Sequence, residues 1–128
     1  MNIEDKISLS KIRLEKAYSA LKSAKLMIDN DDFLGANNRI YYAMLYAIKA
    51  LVITKDFDSK KHIQVIGFFN REFIKNGHLD KKYGKLTNKI KRLRESSDYD
   101  DFYVIDKEDT KNSYNEIKDF IKVVEEEL

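Results

Sequence analysis

Asn38-Arg39-Ile40-Tyr41-Tyr42-Ala43-Met44-Leu45-Tyr46-Ala47-Ile48-Lys49-Ala50-Leu51-Val52-Ile53 is a nearly continuous apolar run broken once, by Lys49. Its length and its alanines suit a helix better than a strand, and its polar groups keep it from reading as a membrane span. Ala43, Ala47 and Ala50 let neighbouring helices approach closely, while Tyr41, Tyr42 and Tyr46 add apolar area with a polar tip. A helix that is apolar on most sides must be covered on most sides. The run is therefore expected to be the central helix of an all-α domain, with part of its surface in a subunit interface.

Working outward, the remaining helices follow from periodicity. Leu14, Ala17, Leu21, Ala24 and Ile28 recur at spacings of three and four, predicting a first helix over Leu9–Ile28. Asn30-Asp31-Asp32 ends it and offers caps for the second, Phe33 to Thr54. Lys55 to Ser59 is a polar loop whose Asp58 or Ser59 can cap a third helix over Lys60–Lys75, with Asn76-Gly77 as its stop signal. A fourth helix, Lys81–Arg94, turns Tyr83, Leu86, Ile90 and Leu93 inward. Glu95 to Val104 is a polar and aromatic connector, after which Asp106 caps a last helix carrying Tyr114, Ile117, Ile121 and Val124. The chain has 128 residues, no proline and four glycines, with no repeat or low-complexity linker. One domain over 1–128 is expected, an antiparallel bundle of four to five helices.

Composition removes several classes of function. Without cysteine there is no disulfide, zinc-thiolate site or thiol chemistry. The first residues carry Glu4 and Asp5 instead of a signal peptide's apolar centre, and no stretch of about 18 uncharged apolar residues exists. A cytoplasmic protein with no membrane role is expected. Net charge is +2 but unevenly spread: Arg71–Arg94 holds nine Lys/Arg against two acids, and Glu95–Leu128 twelve acids against four lysines. Either the two helices complement each other, or a basic face meets the phosphate of RNA or a nucleotide.

Most standard sites can be set aside. Gly84-Lys85-Leu86-Thr87 lacks the earlier glycine and the strand of a phosphate loop. Asp98-Tyr99-Asp100-Asp101 lacks the glycine and terminal glutamate of a calcium loop. His62 and His78 sit on different segments with no helical pairing, so no metal site is expected, and nothing calls for a cofactor. His62 reads as a helix-face residue that packs or caps, and His78 as a solvated loop residue. What remains is Arg94-Glu95-Ser96-Ser97-Asp98-Tyr99-Asp100-Asp101-Phe102-Tyr103. A guanidinium beside acceptors and phenols suits a phosphate-binding cleft. Equally, the aspartates can cap the next helix while Arg94 forms an ion pair that holds the connector down.

Three blocks in this order resemble the HEPN domain family (higher eukaryotes and prokaryotes nucleotide-binding), especially its small stand-alone archaeal and bacterial members. They are Ala36-Asn37-Asn38-Arg39-Ile40-Tyr41-Tyr42-Ala43-Met44 with Lys49-Ala50-Leu51, His62-Ile63-Gln64-Val65-Ile66-Gly67-Phe68-Phe69, and Leu93-Arg94-Glu95-Ser96-Ser97-Asp98-Tyr99. The likeness covers nearly the whole chain. It implies a helical bundle, usually dimeric, and a partner encoded nearby, a minimal nucleotidyltransferase, in a toxin–antitoxin-like pair. Members with ribonuclease activity share an arginine, four to six residues of which the first is polar, then a histidine. Arg94 and Glu95 match; the permitted histidine positions hold Tyr99, Asp100 and Asp101. Some toxins of the family place an adenylate-accepting tyrosine two residues after that histidine, a spacing that Tyr103 keeps if Asp101 stands in its place.

The missing histidine bears on mechanism. Cleavage without a metal requires a proton to leave the ribose 2′-hydroxyl, and imidazole suits this near neutrality whereas phenol and an ordinary carboxylate do not. The expectation is therefore a helical dimer that binds a nucleotide or RNA phosphate group, works with a nucleotidyltransferase, and does not catalyse efficiently. Arg94 would contact phosphate, Tyr99 and Tyr103 would offer a stacking face or a hydroxyl, and Lys85, Lys89 and Arg92 would supply long-range attraction. One rival is a metal-independent endoribonuclease toxin using Arg94 with Asp98, Tyr99 or Asp101. Another is a purely structural helical oligomerisation module.

Overall fold

A computed structural model describes residues 1–128. Five α-helices in chain order are α1 (Ile3–Asp29), α2 (Phe33–Val52), α3 (His62–Phe69), α4 (Lys81–Tyr99) and α5 (Lys107–Glu127). A 3-10 turn, Ile53–Lys55, closes α2, and a π-helical stretch, Asn70–Lys75, continues α3 without a break. No helix is long and apolar enough to cross a membrane.

The quoted run is the axis of the bundle. Ala43, Ala47 and Ala50 have no exposed surface, and Met44, Ile48 and Val52 are equally enclosed. α1 lies along it with Ala17, Ala20, Leu21 and Ala24 buried, so small residues on both helices permit close approach. α5 adds Ile117, Phe120, Ile121 and Val124, and Phe120 meets Phe69 edge-to-face at 5.7 Å. The C-terminal end of α2 is held by α1: Ser10 Oγ donates to the Ala50 carbonyl at 2.8 Å, and Arg13 donates to the Lys49 carbonyl at 3.2 Å and to Asp58 at 2.8 Å. The Lys49 carbonyl also accepts from Ile53 N–H, so these bonds from α1 add to the helix's own and pin its last turn.

Several local expectations hold. Asp32 caps α2 by accepting from Gly35 N–H at 2.9 Å, and Asp106 caps α5 by accepting from Glu108 and Asp109. Gly77, at φ +80°, ends the third helical segment in the left-handed conformation that glycine adopts at no steric cost.

Others need correction. α1 begins at Ile3, not Leu9, because Asn2 caps it by accepting from Asp5 N–H at 2.8 Å. α3 begins at His62, not Lys60, and neither Asp58 nor Ser59 caps it: Asp58 is taken by Arg13, and Ser59 Oγ accepts from Lys61 N–H at 3.0 Å within the loop. α4 does not stop at Arg94 but runs on to Tyr99, so half of the expected connector is helical. Asn37, nearly buried on α2, holds this extra turn by donating to Ser97 Oγ at 3.0 Å and accepting from Thr110 Oγ at 2.9 Å. His78 is not merely solvated: its Nε2 lies 2.7 Å from Glu127 and its ring packs on Phe73.

The apolar surface of α2 is covered within the chain by α1, α3, α4 and α5. Phe69 and Phe73 are buried, and Phe68 stacks on Phe57 at 4.2 Å. Excess apolar area on α2 is therefore no argument for a second copy. The acidic α5 answers the basic α4 at one ion pair, Lys89 to Glu116 at 2.7 Å; Glu125 and Glu127 turn to Tyr18 and His78.

Close approach at the alanine seam sets a testable limit. Ala47→Leu is expected to overpack the axis and cost about 1–3 kcal/mol, read as a lower midpoint of urea unfolding with helical circular dichroism retained. An unchanged midpoint would show that the seam has room to spare.

Candidate functional site

Where α2 leaves its alanines and reaches Tyr41 and Tyr42, three other parts of the chain converge. α3 brings His62 and the extended α4 brings Arg94, Asp98 and Tyr99. Tyr41 is 2% exposed, and its hydroxyl shares a hydrogen bond of 3.2 Å with His62 Nδ1. The imidazole ring lies 5.9 Å from the Tyr41 ring and 5.8 Å from the Tyr42 ring. The Arg94 guanidinium sits 4.8 Å above the Tyr41 ring and 5.8 Å from both Tyr42 and Tyr99. Arg39, one helical turn before Tyr42 on α2, places its guanidinium 5.2 Å from the Tyr42 ring.

Rings, more than carboxylates, hold these cations. Arg94 Nε comes within 2.9 Å of Asp98, one turn further along α4, with both side chains about one-fifth to one-quarter exposed (20% and 24%). That N–H does not point at the carboxylate, so the contact is an ion pair without a hydrogen bond and the Nε atom is buried with no acceptor. Arg39 Nε is likewise buried without an acceptor. Asp98 is the one carboxylate in ion-pair contact with either guanidinium, since Glu95 reaches back to Lys91 at 3.6 Å. Two guanidinium groups against one carboxylate leave a positive spot in a partly desolvated setting, where charge is worth more than in water.

The neighbouring titratable groups respond. Burial, then the charges of Arg94 and Lys49, push the His62 imidazole below its ordinary range. Burial pushes the Tyr41 phenol up, opposed by Arg94 and reinforced by Tyr42, Glu95 and Tyr99, so it stays protonated. Burial, with Arg13 next to it, lowers Lys49. The cluster thus joins a fixed cation, a neutral imidazole and a neutral phenol.

The sequence-derived candidates divide sharply. Arg94, Asp98 and Tyr99 come together. Lys85, Lys89 and Arg92 precede Arg94 by nine, five and two residues, which at about 3.6 residues per turn puts them on the far side of α4. Lys89 is moreover engaged by Glu116. Asp101 is exposed in the turn after α4. Tyr103 lies in the connector between α4 and α5, its phenol pushed up by burial and by Asp109 and Asp106. His62, Tyr41, Tyr42 and Arg39 were not read as site residues from the chemistry of the sequence. A groove lies elsewhere, between the start of α1 and the end of α5, where Ile3, Ile7, Leu14 and Leu128 are joined by Lys6, Lys11, Glu125 and Glu127. Its Lys6, Glu125 and Glu127 are engaged by Asp56, Tyr18 and His78, and no guanidinium or imidazole lines it, so the groove holds no cluster comparable to that around Arg94.

Comparison with known proteins bears on the whole of this architecture. The model of the HEPN domain matches residues 10–127. The chain belongs to the HEPN domain family. A UPF0332 protein of Thermotoga maritima is 34% identical over 86% of this chain and 83% of its own length. Two proteins of Methanocaldococcus jannaschii, each named "Putative toxin", are both 36% identical, over 85% and 67% of this chain and 74% and 64% of their own lengths. The three blocks that resembled HEPN proteins in sequence are the segments that meet here: Arg39 with Tyr41 and Tyr42, His62, and Arg94 with Asp98 and Tyr99. Their sequence proximity to one another is nil, which is why the block pattern could flag the family without revealing the cluster.

The depressed His62 has a consequence for stability. An unfolded chain takes up this proton near the ordinary pKa of 6.5, and the folded HEPN domain only at lower pH. In that window the unfolded state holds more protons, so acid favours unfolding. The contribution of His62 should be neutral above about pH 6.5 and increasingly destabilising as pH falls below it. His62→Gln removes the titration, and the stability of wild type relative to His62→Gln should fall from about pH 7 to about pH 5 in urea unfolding. A flat difference, or one that grows in favour of wild type toward acid, would contradict the burial of His62.

Proposed function

We propose that this HEPN protein binds RNA through a backbone phosphate seated on Arg94, and that it acts as the toxin-like member of a pair with a minimal nucleotidyltransferase. The observation that carries the binding is the Arg94 guanidinium itself, held by three tyrosine rings while its contact with Asp98 lacks hydrogen-bond geometry. Neither of its terminal nitrogens makes a hydrogen bond within the chain, and a planar fork of donors matches a phosphate's oxygens. Arg39 adds a second positive charge beside the Tyr42 ring. Tyr99, 73% exposed beside Arg94, offers a face on which an unpaired base can stack, at about 1–3 kcal/mol per base.

Pairing rests on different support. Relatives at 36% identity carry the name toxin, and a toxin requires a counterpart that restrains it. The family resemblance supplies the class of that counterpart. Tyr103 keeps the spacing of an adenylate-accepting tyrosine and is half-buried in the connector before α5. The far-side Lys85 and Arg92 remain exposed and add diffuse attraction for a polyanion without defining the contact. Two copies, as the family implies, would set two such sites in one particle.

The binding reading is tested by titrating a fluorescent single-stranded RNA with wild type, Arg94→Ala and Lys85→Ala at low and high salt. Arg94→Ala is expected to weaken binding about tenfold or more, the value of a charge-assisted contact. It should also reduce the slope of log affinity against log salt by about 0.7, as for one single-strand phosphate. Lys85→Ala should stay near wild type. Wild-type affinity weaker than about millimolar, or equal losses in both variants, would refute the site.

A further inference from the structure

We propose that Lys16 and Lys49, together with the ring of Tyr46, form a second phosphate subsite that extends the RNA path away from Arg94. This inference rests on the binding reading above and adds to it the length of strand that the protein holds.

The enclosure of α2 selects the residues. From Ala36 to Ile53 every residue is buried except Asn38, Arg39, Tyr42, Tyr46 and Lys49. Steps of three, four and three residues put the last four of these on one stripe of the helix. The stripe reads cation, ring, ring, cation, and at about 1.5 Å per residue it runs about 15 Å along the axis. Its contacts are continuous. The Arg94 guanidinium lies 5.8 Å from the Tyr42 ring, and the Tyr42 and Tyr46 rings are 6.2 Å apart. The Lys16 ammonium, from α1, lies 5.8 Å from the Tyr46 ring. Positive charge therefore stands at both ends of two linked rings.

The charge at the far end is not answered within the chain. Lys49 is half-buried and feels the cations Arg13 and Lys16, and Asp58 is the one carboxylate whose charge acts on it. That carboxylate is already committed, accepting from the buried Arg13 at 2.8 Å and from Ser59 N–H at 3.0 Å. Neither Lys16 nor Lys49 has a carboxylate within ion-pair distance. An anion set between the two ammonium groups would offset a repulsion that partial burial makes costly. Lys49 and Arg94 both act on His62, so the two subsites belong to one positive surface.

The alternation identifies the occupant. A single-stranded polynucleotide carries anionic phosphates and flat bases in turn, and this face offers cations and rings in turn. An acidic peptide would use the cations and leave the rings idle. A duplex keeps its bases stacked on one another and away from Tyr42 and Tyr46. A span of about 15 Å takes about four nucleotide steps at the stacked rise of about 3.4 Å. A dinucleotide can thus occupy one subsite, and a hexanucleotide both.

The test measures fluorescence anisotropy of labelled RNA of two and of six nucleotides over a range of salt. Wild type is compared with Arg94→Ala, with Tyr46→Leu and with the double variant Lys16→Ala/Lys49→Gln. Wild type should bind the hexanucleotide about tenfold or more tighter than the dinucleotide. The double variant should lose most of that gain, and its salt slope on the hexanucleotide should fall by at least about 0.7, the value of one phosphate. Tyr46→Leu keeps apolar bulk and charge, so it should weaken hexanucleotide binding about fivefold or more with the slope unchanged. Oligoglutamate of six residues should fail to displace the hexanucleotide where unlabelled RNA succeeds. An equal gain with length in wild type and the double variant overturns the subsite and leaves the Arg94 reading standing. Oligoglutamate that competes as well as RNA also overturns it, in favour of an acidic protein segment. Arg94→Ala that weakens neither oligonucleotide fails the binding reading and takes this inference with it. Should the double variant lose helical circular dichroism, Lys16→Ala alone, at an exposed position, replaces it. A reduced gain with length in that variant supports the subsite, and an undiminished one overturns it.

Discussion

Closure of the bundle around a helix of alanines is the constraint from which the site follows. Ala43, Ala47 and Ala50 on α2, with Ala17, Ala20 and Ala24 on α1, bring two backbones close enough that larger side chains have no place between them. Four helices then enclose α2, and its bulky polar-tipped residues must leave at the edges. Tyr41 remains almost fully buried yet must satisfy its hydroxyl, because a buried phenol without a partner forfeits much of what the ring gains. His62 meets that need from the next helix. A packing requirement at the core thus places an imidazole beside the spot that α4 reaches with Arg94.

The manner in which Arg94 is held decides what it can do. An arginine locked to a carboxylate by two in-line hydrogen bonds has little left for a ligand, since removing the carboxylate would cost what the ligand gains. Arg94 is held otherwise, by rings on its faces and by a carboxylate that approaches Nε off its hydrogen-bond axis. Cation–ring contacts contribute about 0.5–2 kcal/mol each way of counting, enough to orient the group while leaving its donors available. Asn37 contributes indirectly. By binding Ser97 and Thr110 it keeps the last turn of α4 helical, and that turn carries Asp98 and Tyr99 to the guanidinium.

Legibility in the sequence followed the range of the interactions. α2 and α5 could be read within a few residues because apolar periodicity and the caps Asp32 and Asp106 are local signals. The end of α4 could not. Ser96, Ser97 and Asp98 compete with the backbone for hydrogen bonds and read as connector residues, but Asn37, sixty positions away, supplies the bond that keeps Ser97 in a helix. The start of α1 was missed because Asn2 caps it ahead of its first inward-facing apolar residue. Within the site, Arg94, Asp98 and Tyr99 were legible as one segment. Lys85, Lys89 and Arg92 were grouped with them because a charge run in sequence ignores the phase of the helix. His62 read as a packing residue, which it is; that its packing partner also carries Arg94 needed the fold.

That last point changes the meaning of the histidine absent after Arg94. Proton transfer depends on the distance and direction between a base and the bond it serves, and the position of that base in the chain has no part in it. A histidine on the same helix as the arginine is one way of placing an imidazole near a bound phosphate. Here Tyr99, Asp100 and Asp101 occupy the positions from which such a histidine would project, and the first of them lies against the guanidinium as a ring. The imidazole near this arginine arrives from α3, in hydrogen-bond contact with a phenol of α2 whose ring also supports the arginine. Three helices contribute one group each, so the arrangement exists only when the bundle is closed and depends on the same burial that stabilises the fold.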